Sequence, residues 1–199
     1  AGNVTVSDGA VSCTGTVAAG SCSLVLTSVG THTLTATYAG SASFATSASA
    51  GASHDVNQAA TTTTITADTP DPSSVGQAVA VSFSISVTSP GAGIPTGNVT
   101  VSDGVISCTS TVAAGTCSLT FTSVGARTLT ATYAGDTSFA GSASATAPHD
   151  VVAAGTTTTI TNAATLASTP SVVGQSVSVS FAVAPAPPAA GLGAELPAP

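Results

Sequence analysis

Residues 2–9 read Gly-Asn-Val-Thr-Val-Ser-Asp-Gly and return unchanged at 97–104, a shift of 95 residues. Cys13 and Cys22 return as Cys108 and Cys117, Tyr38 as Tyr133, and His54-Asp55-Val56 as His149-Asp150-Val151. Thr-Thr-Thr-Thr-Ile-Thr stands at 61–66 and again at 156–161. Self-similarity at a fixed period marks an array of equal structural units, each built on the same strand plan. A chain of this kind is constrained to a modular rod before any single residue is considered.

Within each unit the signal has period two. Val79, Val81, Phe83, Ile85 and Val87 alternate with Ala80, Ser82, Ser84 and Ser86. Leu129, Ala131 and Tyr133 alternate with Thr128, Thr130 and Thr132. Alternation of apolar with Ser or Thr predicts half-buried antiparallel strands. Good helix formers are scarce, so essentially no helix is expected. Turn signals recur at Asp71-Pro72, Ser89-Pro90-Gly91, Asp103-Gly104, Ala114-Gly115 and Ala134-Gly135-Asp136. The reading is all-β: tandem immunoglobulin-like antiparallel β-sandwiches.

A complete unit is expected at 58–152. Its strands fall near 60–66, 78–88, 97–103, 126–134 and 142–151, with a hairpin at 105–122 and loops at 67–77 and 135–141. The expected core is Ile65, Val79, Val81, Phe83, Ile85, Val99, Val101, Ile106, Leu119, Phe121, Leu129, Ala131, Tyr133 and Phe139. Residues 1–57 then form a partial unit that lacks the first two strands, A and B. Residues 153–184 supply strands A and B of a further unit, since Gly174–Phe181 matches Gly76–Phe83. Residues 185–199 are Pro/Ala-rich and are expected to be a flexible tail.

The four cysteines form two equivalent pairs. If Val112-Ala113 centres a hairpin, Cys108 faces Cys117 and Ile106 faces Leu119; in the first copy Cys13 faces Cys22. An even count in a repeated position reads as a disulfide framework and implies an oxidising compartment. A metal site is the competing reading, but zinc favours shorter spacings and no His lies within either loop. Closing such short loops should contribute about 2–3 kcal/mol each.

Charge excludes several functions. The chain carries one Lys or Arg in all, Arg127, against eight acidic residues, a net charge of -7. Nucleic-acid binding needs clustered cations to neutralise phosphates, and anionic membrane surfaces need the same. No apolar run approaches the length of a membrane span. No secretory leader pattern opens the sequence, and the absence of Met is that of a mature or excised piece.

Candidate chemistry is thin. No Gly-x-Ser-x-Gly elbow occurs, and a Ser-His-Asp triad needs geometry, not a census. His32 becomes Arg127 in the second copy, which suggests a solvated strand face. His54-Asp55 and His149-Asp150 end a strand beside a unit boundary, with Asp68 and Asp71 in the expected 67–77 loop. Calcium wants six to eight oxygens, more than these supply, so turn-capping and a hinge-side His are the plainer reading. No catalytic, metal or cofactor residue is assigned, and the binding residues are unknown. Asn3-Val4-Thr5 and Asn98-Val99-Thr100 match the glycosylation sequon, but both fall on expected strands.

Ile94-Pro95-Thr96-Gly97-Asn98-Val99-Thr100-Val101, followed by Gly125-Ala126-Arg127-Thr128-Leu129-Thr130-Ala131-Thr132-Tyr133-Ala134-Gly135-Asp136, resembles the bacterial immunoglobulin-like repeat family. The first copy departs from that pattern at Ser41, in place of Asp136. The resemblance implies tandem β-sandwiches of large secreted or cell-surface proteins, including adhesins, and no catalysis. It implies a stalk or filament role, with an adhesin-type module recognising a glycan or host protein as the alternative. The partial units at either end suggest head-to-tail self-association, 156–183 of one molecule completing 1–56 of the next. The other explanation is a slice of a longer repeat protein, cut out of phase.

Non-reducing peptide mapping is expected to recover Cys13 joined to Cys22 and Cys108 joined to Cys117. Free thiols, or Cys13 joined to Cys108, would refute the pairing.

Overall fold

The structure, a computed structural model, describes residues 2–186. The chain divides into two compact units. One takes in the residues up to Thr61 with Val87–Pro95 and Gly135–Gly141; the other takes in Thr62–Ser86, Thr96–Ala134 and the residues from Ser142 on. Two loops of the middle repeat group with the first unit.

The first repeat forms one sheet. Its strands are β1 (Asn3–Ser7), β2 (Ser12–Thr16), β3 (Gly30–Tyr38), β4 (Ser47–Ala48) and β5 (Ala52–Val56). The order is β2-β1-β3-β4, and β5 also pairs with β3. All ladders are antiparallel.

The middle repeat forms two sheets. Its strands are β6 (Thr61–Thr69), β7 (Ser73–Ser74), β8 (Ala78–Val87), β9 (Asn98–Ser102), β10 (Ser107–Thr111), β11 (Thr116–Thr120), β12 (Gly125–Tyr133), β13 (Ser142–Ala143) and β14 (Ala147–Val152). One sheet has the order β10-β9-β12-β14-β7, with β13 also on β12; the other is β11-β8-β6. In immunoglobulin terms β6, β8 and β11 are strands A, B and E, and β7, β14, β12, β9 and β10 are A′, G, F, C and C′. Only the β10-β9-β12-β14 sheet has its counterpart in the first repeat.

The expected hairpin at 105–122 is not there. β10 pairs with β9 and β11 pairs with β8, so the turn between β10 and β11 carries the chain from one sheet to the other. Ile106 therefore does not face Leu119. Alternation fixes which face of a strand is buried but not which strand lies beside it.

The inward residues of both sheets make the core of the middle repeat. Val79, Val81, Val99, Val101, Leu129 and Ala131 are fully buried, and Phe83, Leu119, Phe121 and Tyr133 nearly so. Ile65, Ile85 and Ile106, expected in the core, are half-buried. Val151 and the polar trio Thr63, Ser73 and His149 are buried in addition. In the first unit, Phe139 is buried and bridges Ala59. A Cβ on Gly93, whose φ is +128°, would stand 2.8 Å from the end of the Phe139 ring, so only glycine fits there.

The last repeat is a fragment. β15 (Thr156–Ile160) pairs with β16 (Phe181–Pro185), with the six-residue helix α1 (Ala163–Ser168) between them. Residues 174–180, expected as strand B, form no ladder. Their counterpart β8 is held by β11, whereas among the described residues no strand pairs with them. Pro185 closes the β15–β16 ladder, so the strand runs one residue into the expected tail. From Pro187 on, that tail lies outside the described residues.

Tyr133→Ala should cost about 3–5 kcal/mol, as large-to-small aromatic substitutions in a closed core do. Tyr38→Ala, at the half-buried equivalent position, should cost clearly less in the same chemical-denaturation measurement. Equal costs would mean that the two sheets are covered alike.

Candidate functional site

Three constellations could carry function: the cysteine staples, the polar cluster around His149, and the uncovered face of the first sheet.

Cys108 and Cys117 form a disulfide with Cα atoms 5.9 Å apart, and Cys13 and Cys22 form its equivalent at the same 5.9 Å. Cys108 lies on β10 and Cys117 on β11, each at the edge of its own sheet. The bond therefore staples two sheets; it does not cross a hairpin. Turn chemistry supports the approach to it. Asp103 accepts hydrogen bonds from the N–H groups of Val105 and Ile106, and Asp8 does the same for Ala10 and Val11.

His32 and Arg127 do one job in the two copies. His32 places Nδ1 2.8 Å from Asp8 and Nε2 2.9 Å from the Ser28 carbonyl. Arg127 donates to the Ser123 carbonyl at 2.8 Å and lies 3.6 Å from Asp103. The two sets of partners are repeat equivalents. The side chains are 13% and 20% exposed, so this is not the solvated face expected from the His-to-Arg change. It is a cation clamp that ties strand to turn and accepts either cation. Both His32 nitrogens face acceptors, which calls for the doubly protonated ring.

The electrostatics agree. The Ser28 carbonyl first, then Asp8, raises the His32 pKa above 6.5. The N–H groups of Val11 and Ala10, then His32, hold the Asp8 carboxyl at about 2. Burial pushes Asp103 up, but the Ile106 and Val105 N–H groups and the Arg127 charge outweigh it and keep the group below its ordinary value.

His149 is more deeply set than a hinge-side His: it is 1% exposed. Nδ1 donates to Asp68 at 2.9 Å, and Nε2 meets the Ser73 hydroxyl at 2.9 Å. Asp71 stands 3.5 Å from Nδ1 and accepts the Asp150 N–H. Asp68 belongs to the end of β6, not to a loop. The order Ser–His–Asp is that of a hydrolytic triad, yet Ser73 is 0% exposed and cannot meet a substrate. The chain pairs β7 with β14 in parallel at this point, and the Ser73–His149–Asp68 relay ties A′, G and A together. Asp68, Asp71 and His149 offer ligand atoms within 4.8 Å of one another, a set that could hold a divalent ion. Hydrogen bonding within the protein already accounts for all three. Phe121 stacks on the His149 ring at 5.1 Å.

The first sheet presents a different face. Val4, Val6, Leu34, Ala36 and Tyr38 are half-buried, where their equivalents in the middle repeat are closed to solvent. Phe44 is 68% exposed, whereas its equivalent Phe139 is 6% exposed. Phe139 is buried as expected of it, and its first-repeat equivalent is not. Val4, Val6, Val17, Ala36 and Cys22 line an apolar hollow on this face. Ser21–Val25, the equivalent of β11, is tethered by Cys22 but joins no ladder. His54, the equivalent of His149, is exposed.

Residues 65–152 match the model of the bacterial Ig-like domain family, group 3. No curated protein matches the chain. Among solved structures, the fibronectin(III)-like modules of Clostridium thermocellum CbhA align at 15% identity and a TM-score of 0.35, over 76% of this chain and 77% of that one. A score that low carries no weight for function or for the arrangement of the repeats.

The His32 clamp gives a pH signature. A raised pKa means that its contribution is fully present below about 6.5 and is lost as pH rises through the folded value. The lowered Asp8 pKa means that its contribution is present above about 3.8 and is lost as pH falls toward about 2. NMR titration should place the His32 midpoint above 6.5. Asp8→Asn should lower it only partway, because the Ser28 carbonyl is the larger cause. A midpoint at or below 6.5 in the unsubstituted protein would contradict the clamp.

Proposed function

We propose that this chain, with a bacterial Ig-like domain at 65–152, is a non-catalytic structural repeat of an extracellular stalk or filament. The observation that carries the reading is the inward use of its few reactive groups. Arg127 is committed to Ser123 and Asp103, and His149 to Asp68 and Ser73. Ser73, the hydroxyl in triad order, is sealed in the core. Such groups hold strands together and leave no nucleophile facing solvent in that cluster.

The disulfides support an oxidising, extracellular setting. Among the described residues no helix is long and apolar enough to cross a membrane. A surface rich in Ser, Thr and Ala with little charge suits a spacer, whose task is reach and not recognition. Subunits would join head to tail by strand complementation, each sandwich closed by strands of its neighbour.

The test is a glycan and host-protein array probed with the pure chain. No specific binding is expected. A specific hit abolished by substituting an exposed pole-loop residue such as Ile94, 84% exposed, would replace the structural reading with the adhesin one.

A further inference from the structure

In the middle repeat, one buried N–H faces two carboxylates. His149 Nδ1 lies 2.9 Å from Asp68 Oδ2 and 3.5 Å from Asp71 Oδ1. A ring nitrogen carries at most one hydrogen, and this one is donated to Asp68. Asp71 takes its own hydrogen bond from the Asp150 N–H, yet still stands beside the ring nitrogen. Hydrogen bonding satisfies each group separately. It does not require both carboxylates to converge on the same atom.

The fold holds that convergence in place. Asp68 stands at the end of β6, Asp71 in the turn between β6 and β7, and His149 on β14. The parallel pairing of Ser73 with Val151 brings the turn against β14 two residues beyond His149. All of these residues lie in one compact unit. The ring itself is fixed on two sides. Phe121 stacks on it at 5.1 Å, and Nε2 meets the fully buried Ser73 hydroxyl at 2.9 Å. Nδ1 is therefore held toward the two carboxylates.

We propose that His149 Nδ1, Asp68 and Asp71 form a binding site for a zinc ion. The donor set selects the metal. One imidazole nitrogen with two carboxylate oxygens suits zinc, whereas calcium and magnesium take oxygen ligands and more of them. The spacing agrees. A tetrahedral zinc ion with arms of ~2.0–2.1 Å sets its ligand atoms about 3.3 Å apart. The two separations measured from Nδ1, 2.9 and 3.5 Å, bracket that value. The two carboxylates offer oxygens within 4.8 Å of each other, and a side-chain rotation at Asp71 closes the difference.

Asp71 also gives the ion its entry. Its side chain is 41% exposed, so solvent reaches the site on that side and supplies a water as fourth ligand. The ion takes the place of the Nδ1 hydrogen. The ring then carries its hydrogen on Nε2 and donates it to Ser73 Oγ, which turns from donor to acceptor. A ligating histidine whose other nitrogen is held by a fixed partner is the usual outer-shell arrangement of such sites. Bound there, the ion joins β6, the turn after it and β14. It stabilises the sandwich whatever the repeat serves, so the site stands independently of the stalk reading.

The full chain, stripped of metal with a chelator, should bind zinc saturably, one ion per chain, in equilibrium dialysis. Its thermal midpoint should rise with zinc concentration, because an ion that binds only the folded state adds to its stability. Calcium or magnesium at the same concentrations should not raise it. Asp71→Asn keeps an oxygen for the Asp150 N–H, so its metal-free midpoint should stay close to that of the unsubstituted chain. Its zinc affinity should fall about tenfold or more, since even outer-shell losses cost that much. His54→Ala, at an exposed histidine outside the cluster, should leave affinity unchanged. NMR of the ring nitrogens should show the His149 hydrogen moving to Nε2 as zinc is added. No saturable zinc, zinc affinity indifferent to Asp71→Asn or lost in His54→Ala, or a response to calcium in place of zinc would overturn the inference.

Discussion

The ladder between β8 and β11 is the contact on which the rest of the structure depends. Where it forms, Val79, Val81 and Phe83 are carried over the inner face of the β10-β9-β12-β14 sheet, whose residues close to solvent. Burying each such side chain contributes about 1.5–3 kcal/mol, comparable with the whole net stability of a small domain when summed over the face. Where it is missing, the same strand sequences still pair into a sheet but their inner face stays half-open. The first repeat shows this directly: β1 and β3 form in the same order as β9 and β12, yet Ser21–Val25 joins no ladder.

The polar ties are arranged around that contact. The cysteine staple fixes the edge of strand E against strand C′. The cation clamp does the same for the turn after strand C, and its tolerance of His32 or Arg127 shows that it needs a donor of positive charge and not a particular shape. The His149 relay acts on the opposite edge, where β7 meets β14 in parallel. Charge-assisted hydrogen bonds of these kinds are directional as well as strong. They specify edges, while the apolar alternation supplies the centre.

How far the sequence could be read follows from the same division. Alternation identified the strands and nearly all of the buried face, because the side-chain period of a strand is two whatever lies beside it. Partner choice was not legible. β10 and β11 are adjacent in the chain, antiparallel and bridged by cysteines, which is also the pattern of a hairpin; only the ladder to β8 separates the readings. His149 was misplaced for a related reason. Its partners Asp68, Ser73 and Asp71 lie about eighty residues away in sequence, and no local pattern brings them together. His32 and Arg127 could have been recognised: each stands four residues after a serine and 24 after a turn aspartate.

The copies are not equal in their polar ties. His149 is buried between Asp68 and Ser73, whereas its equivalent His54 is exposed. The serine recurs in the last repeat as Ser171, but residues 162–175 contain no acid, so no carboxylate recurs in the place of Asp68 or Asp71. A buried polar group short of a partner costs free energy, so a buried histidine and its carboxylate have to be kept together. The relay is therefore a property of the middle repeat, while the cation clamp, present in both copies, belongs to the repeat plan.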